Sequence, residues 1–518
     1  MSVRFPASGT LSVLFDRLED RRAADDARPP GCFPDLHLNQ IVASLCAERD
    51  AYRLEPFFHW PLRRRDAIDY RHQVFRDLEH PALLGAIRNF AAAMRDVRGH
   101  AALVAKLSDR YHKQGWLLQT AQLYCHAVET LARDLVSLPV RSKALSAMSS
   151  YLDRYAASEA FAALFEETGL LLRQLVRVSY SILIHDDAFT VGSYGNEADY
   201  SAEIEATFAK FRQGATKNHL VEFKSAPQDL NHIEAKILQF VGQLNPELFA
   251  RLQDYARRHA SFINETIAMF ERDIQFYLAC LEQAARHAQA GLRFCLPTLS
   301  DTPREVSVTE GFDLALANKR KGTSAVVCND LSLTGGERII VVSGPNQGGK
   351  TTFARMFGQL HYLGSLGCPV PARAARLAMF DTIFTHFEKE EKVENLRGKL
   401  EDDLVRIHAI LKDATARSVI ILNEVFTSTT IQDEVFLSRK VLDTLFERGM
   451  IGVWVTFVDE LAAHGPQTVS MVSTIVPDNP AERTFKIVRQ PADGLAYAMA
   501  IAAKYRLTHD HILGRIAS

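Results

Sequence analysis

The sequence has little net charge, and it lacks Cys-x-x-Cys pairs and long apolar runs. Its 518 residues carry 60 basic and 62 acidic side chains, a formal net charge of −2. No global charge therefore draws the chain to nucleic acid, and any DNA contact must come from a local basic patch. The seven cysteines are scattered from Cys32 to Cys368 without a Cys-x-x-Cys pair, which favours reduced thiols over disulfides or zinc. No apolar run approaches the ~20 residues of a membrane span, and the amino terminus lacks a signal-peptide core. We expect a cytoplasmic protein with no membrane contact.

The composition is that of a globular, multidomain protein. Apolar residues make up 47% and charged residues 24% of the chain, and its length suits about three domains. Residues 1–35 show little periodicity and are predicted to be an extended lead-in. Residues 36–295 are predicted to be an all-α core or lever domain, with a reduced β-hairpin clamp inserted around 176–230. Residues 296–518 are predicted to be an α/β domain.

Local patterns support this division. Apolar residues alternate with polar ones from Val176, and Asp186-Asp187 gives a turn signal before Phe189–Val191, so this segment predicts a β-hairpin. Asn245-Pro246 opens an amphipathic stretch that predicts a single helix to about Gln289, long enough for a lever. The rear of the chain alternates helices with short strands, which are predicted at 338–342, 419–422, 452–456, 469–472 and 484–488.

One stretch carries a phosphate-binding pattern. The β-branched run Ile339–Val342 leads into Gly344-x-x-x-x-Gly349-Lys350-Thr351, and apolar residues at helical spacing follow to Leu366. Glycines let backbone N–H groups approach phosphate oxygens, and the helix amino terminus and the lysine add positive charge. We predict that the nucleotide contacts are Gly344, Pro345, Asn346, Gln347, Gly348, Gly349, Lys350, Thr351 and Thr352.

A second strand predicts the rest of the site. The apolar run 418–422 ends in Asn423-Glu424, where phosphoryl-transfer sites place an acidic group. Glu424 is predicted to orient or deprotonate water, with Lys350 as the second catalytic residue. Thr351 and Asn423 are predicted to hold Mg²⁺, although the amide of Asn423 contributes no charge. The alternative for Asn423 and Glu424 is a polar strand end that caps the following turn.

These residues resemble those of a known family. Ser343–Thr352 resembles the phosphate loop of the MutS mismatch-repair ATPases, whose pattern is T-G-P-N-x-G-G-K-[ST]-T. Three further segments resemble other parts of that family: Cys328–Leu333, Gly367–Ala372 and Asp381–Thr385. Near the end of the chain, Val488–Ala502 resembles the family loosely. In the front half, the resemblance of Arg65–Ile68 and Arg71–Phe75 is weak.

The resemblance implies an ABC-type P-loop NTPase domain that binds ATP and Mg²⁺ in a homodimer. Each phosphate loop would be completed by a signature loop of the other subunit, near Asn395–Lys399, where only Arg397 fits the family pattern. Leu36–Arg173 and Pro246–Gln289 would be levers, and the hairpin a reduced clamp on duplex or branched DNA. Lys210, Arg212 and Lys217 are candidate phosphate contacts, or else a solvated helix face.

The sequence also departs from the family pattern. We expect the mismatch-reading and connector domains of that family to be absent before the ATPase. Asn423 replaces the metal-side aspartate, and Phe457 stands where a histidine would sense the γ-phosphate. We therefore expect a MutS-like DNA-binding ATPase with slow hydrolysis. The alternatives are a nucleotide-gated protein-interaction switch with no DNA role and a catalytically inactive nucleotide-binding scaffold.

Overall fold

The computed structural model describes residues 11–185, 188–195, 229–301, 305–320, 326–388, 398–476, 479–492 and 512. Within them the helices, in chain order, are α1 (Leu18–Asp25), α2 (Leu38–Cys46), α3 (Glu55–His59), α4 (Arg65–Asp77), α5 (Pro81–Val104), α6 (Arg110–Ser137), α7 (Lys143–Ala156), α8 (Glu159–Leu175), α9 (His232–Leu244), α10 (Pro246–Arg258), α11 (Glu265–Ala288), α12 (Leu314–Arg320), α13 (Lys350–Ser365), α14 (Lys399–Asp413) and α15 (Ile431–Glu447).

The strands of the same residues are β1 (Tyr180–His185), β2 (Ala188–Ser193), β3 (Thr298–Ser300), β4 (Val306–Gly311), β5 (Asn329–Leu333), β6 (Ile339–Ser343), β7 (Ala374–Ala378), β8 (Ile383–His386), β9 (Val419–Asn423), β10 (Ile451–Val455), β11 (Thr468–Val476) and β12 (Asn479–Arg489). The predicted helix after Lys350 and the predicted rear strands are confirmed. No helix among the described residues has the length and apolar character needed to cross a bilayer.

The described chain divides into two compact units. One contains Leu11 and Asp77–Glu271, and the other contains Ser12–Arg76 and Arg272–Ser518. This division differs from the predicted boundaries at residues 35 and 295. Helical periodicity alone could not separate residues 36–76 from the helices that follow, because all of these segments share the same spacing.

The first unit is helical and carries the predicted hairpin. Strands β1 and β2 pair antiparallel, with Tyr180 opposite Ser193, which confirms the predicted hairpin. The predicted single helix 246–289 is wrong, because the helix is interrupted between α10 and α11. There the side chain of Asn264 accepts hydrogen bonds from the N–H groups of Thr266 and Ile267. This is an amino-terminal cap, and it starts a new helix.

The second unit is built on a six-stranded sheet in the order β12-β11-β6-β10-β9-β8. The pairings from β8 to β11 are parallel, and β12 joins the edge antiparallel. Every residue of β6, β9 and β10 is buried, as expected for strands covered on both faces. A smaller sheet has the order β3-β7-β4-β5.

The amino-terminal residues contribute to the interior of this second unit. Val13, Leu14 and Phe15 are buried, and α1 follows them, so the predicted extended lead-in is wrong for residues 12–35. Leu36 accepts a hydrogen bond at its carbonyl from the side chain of Gln359 in α13, at 3.0 Å. Tyr362, also in α13, donates its hydroxyl to the carbonyl of Phe58 at 2.9 Å. Sequence pattern could not reveal these contacts because they join residues about 300 positions apart.

Candidate nucleotide site

The turn between β6 and α13 has the backbone shape that its glycines permit. Gly344 has φ +111° and Gly349 has φ +90°, both in the left-handed region that side chains rarely adopt. A Cβ on Gly344 would also stand 2.9 Å from the carbonyl oxygen of Ser473. The turn therefore requires glycine at both positions, and it delivers the chain to the amino terminus of a 16-residue helix.

Two residues that the sequence reasoning missed brace this turn. Because β11 pairs in parallel with β6, with Val472 opposite Ser343, the next residue, Ser473, lies beside the turn. Its hydroxyl donates to the carbonyl of Gly348 at 2.7 Å. Arg483 of β12 donates its Nε to the carbonyl of Asn346 at 3.1 Å. Neither residue belongs to the phosphate-loop pattern, so only the sheet register identifies them.

The Lys350 ammonium is held inward at the start of α13. Its Nζ donates to the carbonyls of Gly344 at 2.8 Å and Pro345 at 3.1 Å. It also lies 4.1 Å from the centre of the Phe457 ring, a cation–π contact. Burial lowers the pKa of Lys350 to about 8, and Glu424 partly opposes this shift. The side chain is thus a desolvated positive group beside the turn.

The two predicted magnesium ligands are in direct contact. The hydroxyl of Thr351 donates to the side-chain oxygen of Asn423 at 3.0 Å, because β9 and α13 both meet the carboxyl edge of the sheet. Both groups offer neutral oxygens, and Mg²⁺ uses such ligands together with phosphates and water. Among the described residues, no group of three or more His, Cys, Asp or Glu could hold a metal by itself. The pair therefore fits Mg²⁺ that arrives with a phosphate ligand.

Glu424 follows the end of β9 in a left-handed backbone conformation, with φ +54°. Its N–H donates to the carbonyl of Val455 in β10 at 2.9 Å. Burial raises the pKa of its carboxyl group, and the nearby Lys350 charge opposes the rise. A raised pKa is typical of carboxyl groups that exchange protons during catalysis.

A cavity of about 300 Å³ opens at this edge of the sheet. Its polar wall contains Glu424 and seven of the predicted nucleotide contacts, Asn346, Gln347, Gly348, Gly349, Lys350, Thr351 and Thr352. Phe312, Val327 and Phe485 give it an apolar wall. Phe485 is held there by Asn329, whose side chain donates to the Phe485 carbonyl at 3.3 Å and accepts from the N–H of Ile487 at 2.8 Å.

The remaining predicted residues take other positions. Gly344 and Pro345 contact Lys350 through their carbonyls, and Asn423 reaches the site through Thr351. Arg397 and the candidate DNA contacts Lys210, Arg212 and Lys217 lie outside the described residues.

Comparisons with known proteins agree with this geometry. Residues 340–508 match the family model of MutS domain V. The DNA mismatch repair protein MutS of Thermus thermophilus is 28% identical over 244 residues, which is 47% of this chain and 28% of that protein. MutS of Chloroflexus aurantiacus is 28% identical over 225 residues (42% and 22%). MutS of Thermotoga maritima is 27% identical over 252 residues (46% and 30%).

The buried parallel strands and the glycine turn at a helix amino terminus define an α/β protein with a phosphate-loop type of turn. In its carboxy-terminal half, the chain is similar to proteins of the MutS family. The matched part spans less than a third of the length of these relatives.

Proposed function

We propose that the chain is a MutS-like ATPase that binds ATP with Mg²⁺ in the cavity beside α13 and couples binding to clamping on DNA. The observation that carries this proposal is the convergence of Lys350, Thr351, Asn423 and Glu424 on one cavity wall or its edge. These residues come from the start of α13 and the end of β9, an arrangement that suits phosphoryl transfer.

Each group has a distinct part in the proposed reaction. The N–H groups of the turn and the Lys350 ammonium bind the phosphates, for which Lys350 exchanges its two carbonyl partners for phosphate oxygens. Thr351 and Asn423 hold Mg²⁺, which supplies charge neutralisation on the phosphates. Glu424 orients the attacking water and accepts its proton.

We propose that hydrolysis is slow, for two reasons. Asn423 contributes no negative charge to the metal, so it fixes Mg²⁺ less firmly than an aspartate would. Phe457 offers an aromatic face to Lys350 and no hydrogen-bond donor for the γ-phosphate. The variants Asn423→Asp and Phe457→His should therefore each raise kcat. Unchanged turnover in both would exclude these residues as the cause.

Nucleotide binding is tested by calorimetry with ATP or ADP and Mg²⁺. Lys350→Ala removes charge-assisted contacts worth about 2–3 kcal/mol, so Kd should rise roughly 30- to 150-fold. Lys412→Ala, at an exposed lysine of α14, is the matched control and should bind as the wild type does. No heat of binding to folded wild-type protein would refute the proposal.

Hydrolysis is tested by steady-state phosphate release. Glu424→Gln keeps the size of the side chain and removes the base, so kcat should fall roughly 100-fold or more. Glu460→Gln, an exposed residue outside the cavity, is the control. Equal turnover in Glu424→Gln and the wild type would remove Glu424 from its proposed role. No turnover in the wild type itself, with nucleotide still bound, would favour an inactive scaffold.

The proposals of a homodimer and of DNA binding rest on the family resemblance. The competing proposal is a nucleotide-gated protein-interaction switch, which the formal net charge of −2 favours. Duplex and branched DNA should be titrated at increasing salt, with and without ATP, because phosphate contacts weaken steeply with salt. Binding that falls with salt, together with ATP-dependent dimers, supports the first proposal. No binding at low salt with ATP supports the second.

A further inference from the structure

The turn after β9 has an unusual backbone. Glu424 has φ +54° and Phe426 has φ +65°, so two residues with side chains adopt the left-handed region within three positions. Such conformations persist only where surrounding contacts enforce them. The side chains of Val425 and Phe426 are buried, with 1% and 0% exposure, so packing supplies part of the constraint. Hydrogen bonds to the backbone supply the rest.

A buried carboxylate holds the second of these residues. Asp403 of α14 is 5% exposed, and its Oδ2 accepts the N–H of Phe426 at 3.2 Å. The N–H of Glu424 is held from the opposite side by the carbonyl of Val455. The backbone around Glu424 is therefore fixed by a sheet neighbour before it and by an aspartate after it.

The other oxygen of this aspartate faces a histidine. Oδ1 of Asp403 lies 3.0 Å from Nε2 of His386, which is 1% exposed at the end of β8. Burial by itself raises the pKa of Asp403, but His386, the N–H of Phe426 and the charge of Arg406 outweigh it and hold the pKa below its usual value. The carboxylate is thus kept charged and oriented, with one oxygen for each partner.

A purely structural role would explain a satisfied buried carboxylate equally well. The position argues for more, because Asp403 holds the backbone N–H of Phe426, two residues after Glu424, and Glu424 lines the cavity together with Lys350. If the Phe426 N–H is released, the turn can relax to the right-handed region and turn the Glu424 carboxylate away.

We propose that Asp403, which lies against His386, is a positioning residue that aims Glu424 at the attacking water. This inference rests on the proposed role of Glu424. Asp403 does not reach the cavity itself, so its loss should affect the chemical step and leave nucleotide binding intact.

The test compares kcat with Kd in three variants. In Asp403→Ala, kcat should fall at least about tenfold, as expected for loss of correct geometry at a reacting group. Kd for ATP with Mg²⁺ should stay within about twofold. Asp403→Asn keeps an oxygen for the Phe426 N–H and should retain more activity than the alanine variant. Asp402→Asn, the half-exposed neighbour on α14, is the matched control and should behave as the wild type does.

The double variant Asp403→Ala with Glu424→Gln separates the two proposals. If Asp403 acts through Glu424, the double variant should be no slower than Glu424→Gln alone, since residues that act as a unit are not additive. Unchanged kcat in Asp403→Ala, or a parallel loss of kcat and binding, would overturn the positioning role. If the Asp403→Ala variant does not fold, kcat and Kd are compared in Asp403→Asn and His386→Gln instead, and an unchanged kcat in both would overturn the positioning role. Failure of Glu424→Gln to slow turnover would instead refute the proposed function.

Discussion

A single added methyl group tests whether the turn before α13 must keep its observed shape. Gly348 has an ordinary φ, so Gly348→Ala introduces no backbone strain of its own. Its Cβ would stand 2.2 Å from the Oγ of Ser473, 3.1 Å from the Ser473 Cβ and 3.0 Å from the carbonyl oxygen of Pro345. Rotation of the Ser473 hydroxyl can relieve the first contact alone. The other two require the turn to open.

The expected cost follows from these contacts. Moving the hydroxyl forfeits its hydrogen bond to the Gly348 carbonyl, about 1 kcal/mol, and crowding adds about 1–3 kcal/mol. Nucleotide binding must restore the closed turn, so about 2 kcal/mol of this cost should appear as a roughly 30-fold rise in Kd for ATP with Mg²⁺.

The rescue variant gives the result that would refute this reasoning. Ser473→Gly removes both atoms of the serine from the crowded position. Gly348→Ala with Ser473→Gly should therefore bind more tightly than Gly348→Ala alone, with the lost hydrogen bond and the remaining contact with the Pro345 carbonyl oxygen at 3.0 Å as the deficit. Gly336→Ala is the control, because its Cβ would meet nothing within 4 Å. Calorimetry that finds normal binding in Gly348→Ala, or no improvement in the double variant, would show that the turn is free to rearrange.

Three further changes test other contacts. Burial lowers the pKa of His72 to about 4, and the charge of Arg76 adds to this. The neutral ring favours the folded state, so stability should fall by about 3 kcal/mol from pH 6.5 to pH 4; urea unfolding should show a smaller fall in His72→Leu. Gly452→Ala would place a Cβ 1.9 Å from the carbonyl oxygen of Ile420, so it should lower the free energy of unfolding by at least about 3 kcal/mol. The control Gly465→Ala, whose Cβ would meet nothing within 4 Å, should leave the free energy of unfolding nearly unchanged. Phe457→Leu removes the ring face from the buried Lys350 ammonium. It should tighten ATP binding at least about two- to fivefold in calorimetry, since a cation–π contact is worth at least about 0.5–1 kcal/mol; equal Kd values would show that the ring does not compete with phosphate.

The sequence predicted the local parts of the site because their chemistry is contiguous. A buried strand, a glycine turn and a helix follow one another from Ile339 to Ser365, and each has its own residue signature. The same holds for β9 and the Asn423-Glu424 pair at its end. Parallel strands bring their carboxyl ends to one edge, so the meeting of Thr351 with Asn423 could be anticipated from motif and topology.

The parts that could not be predicted depend on distant contacts. Nothing in the local sequence indicates that Ser473 donates a hydrogen bond to the Gly348 carbonyl or that Asp403 accepts one from the N–H of Phe426. The register of the sheet decides the first contact, and the packing of α14 decides the second. The position of the Phe457 ring over Lys350 also depends on a contact between residues that are distant in the sequence. The interruption between α10 and α11 had a local sign in Asn264, a good capping residue, but the apolar spacing on either side of it concealed the break.

The packing of the amino-terminal residues has a practical consequence for anyone who wishes to isolate the carboxy-terminal half. A fragment that starts at residue 296 would leave Gln359 and Tyr362 without the carbonyls of Leu36 and Phe58 that satisfy them. It would also uncover the apolar face of α13 where Leu36 packs against Gly358. Such a truncated polypeptide is expected to aggregate. A soluble preparation calls for residues 12–76 and 272–295 to be supplied as well, either in the same chain or as co-expressed peptides.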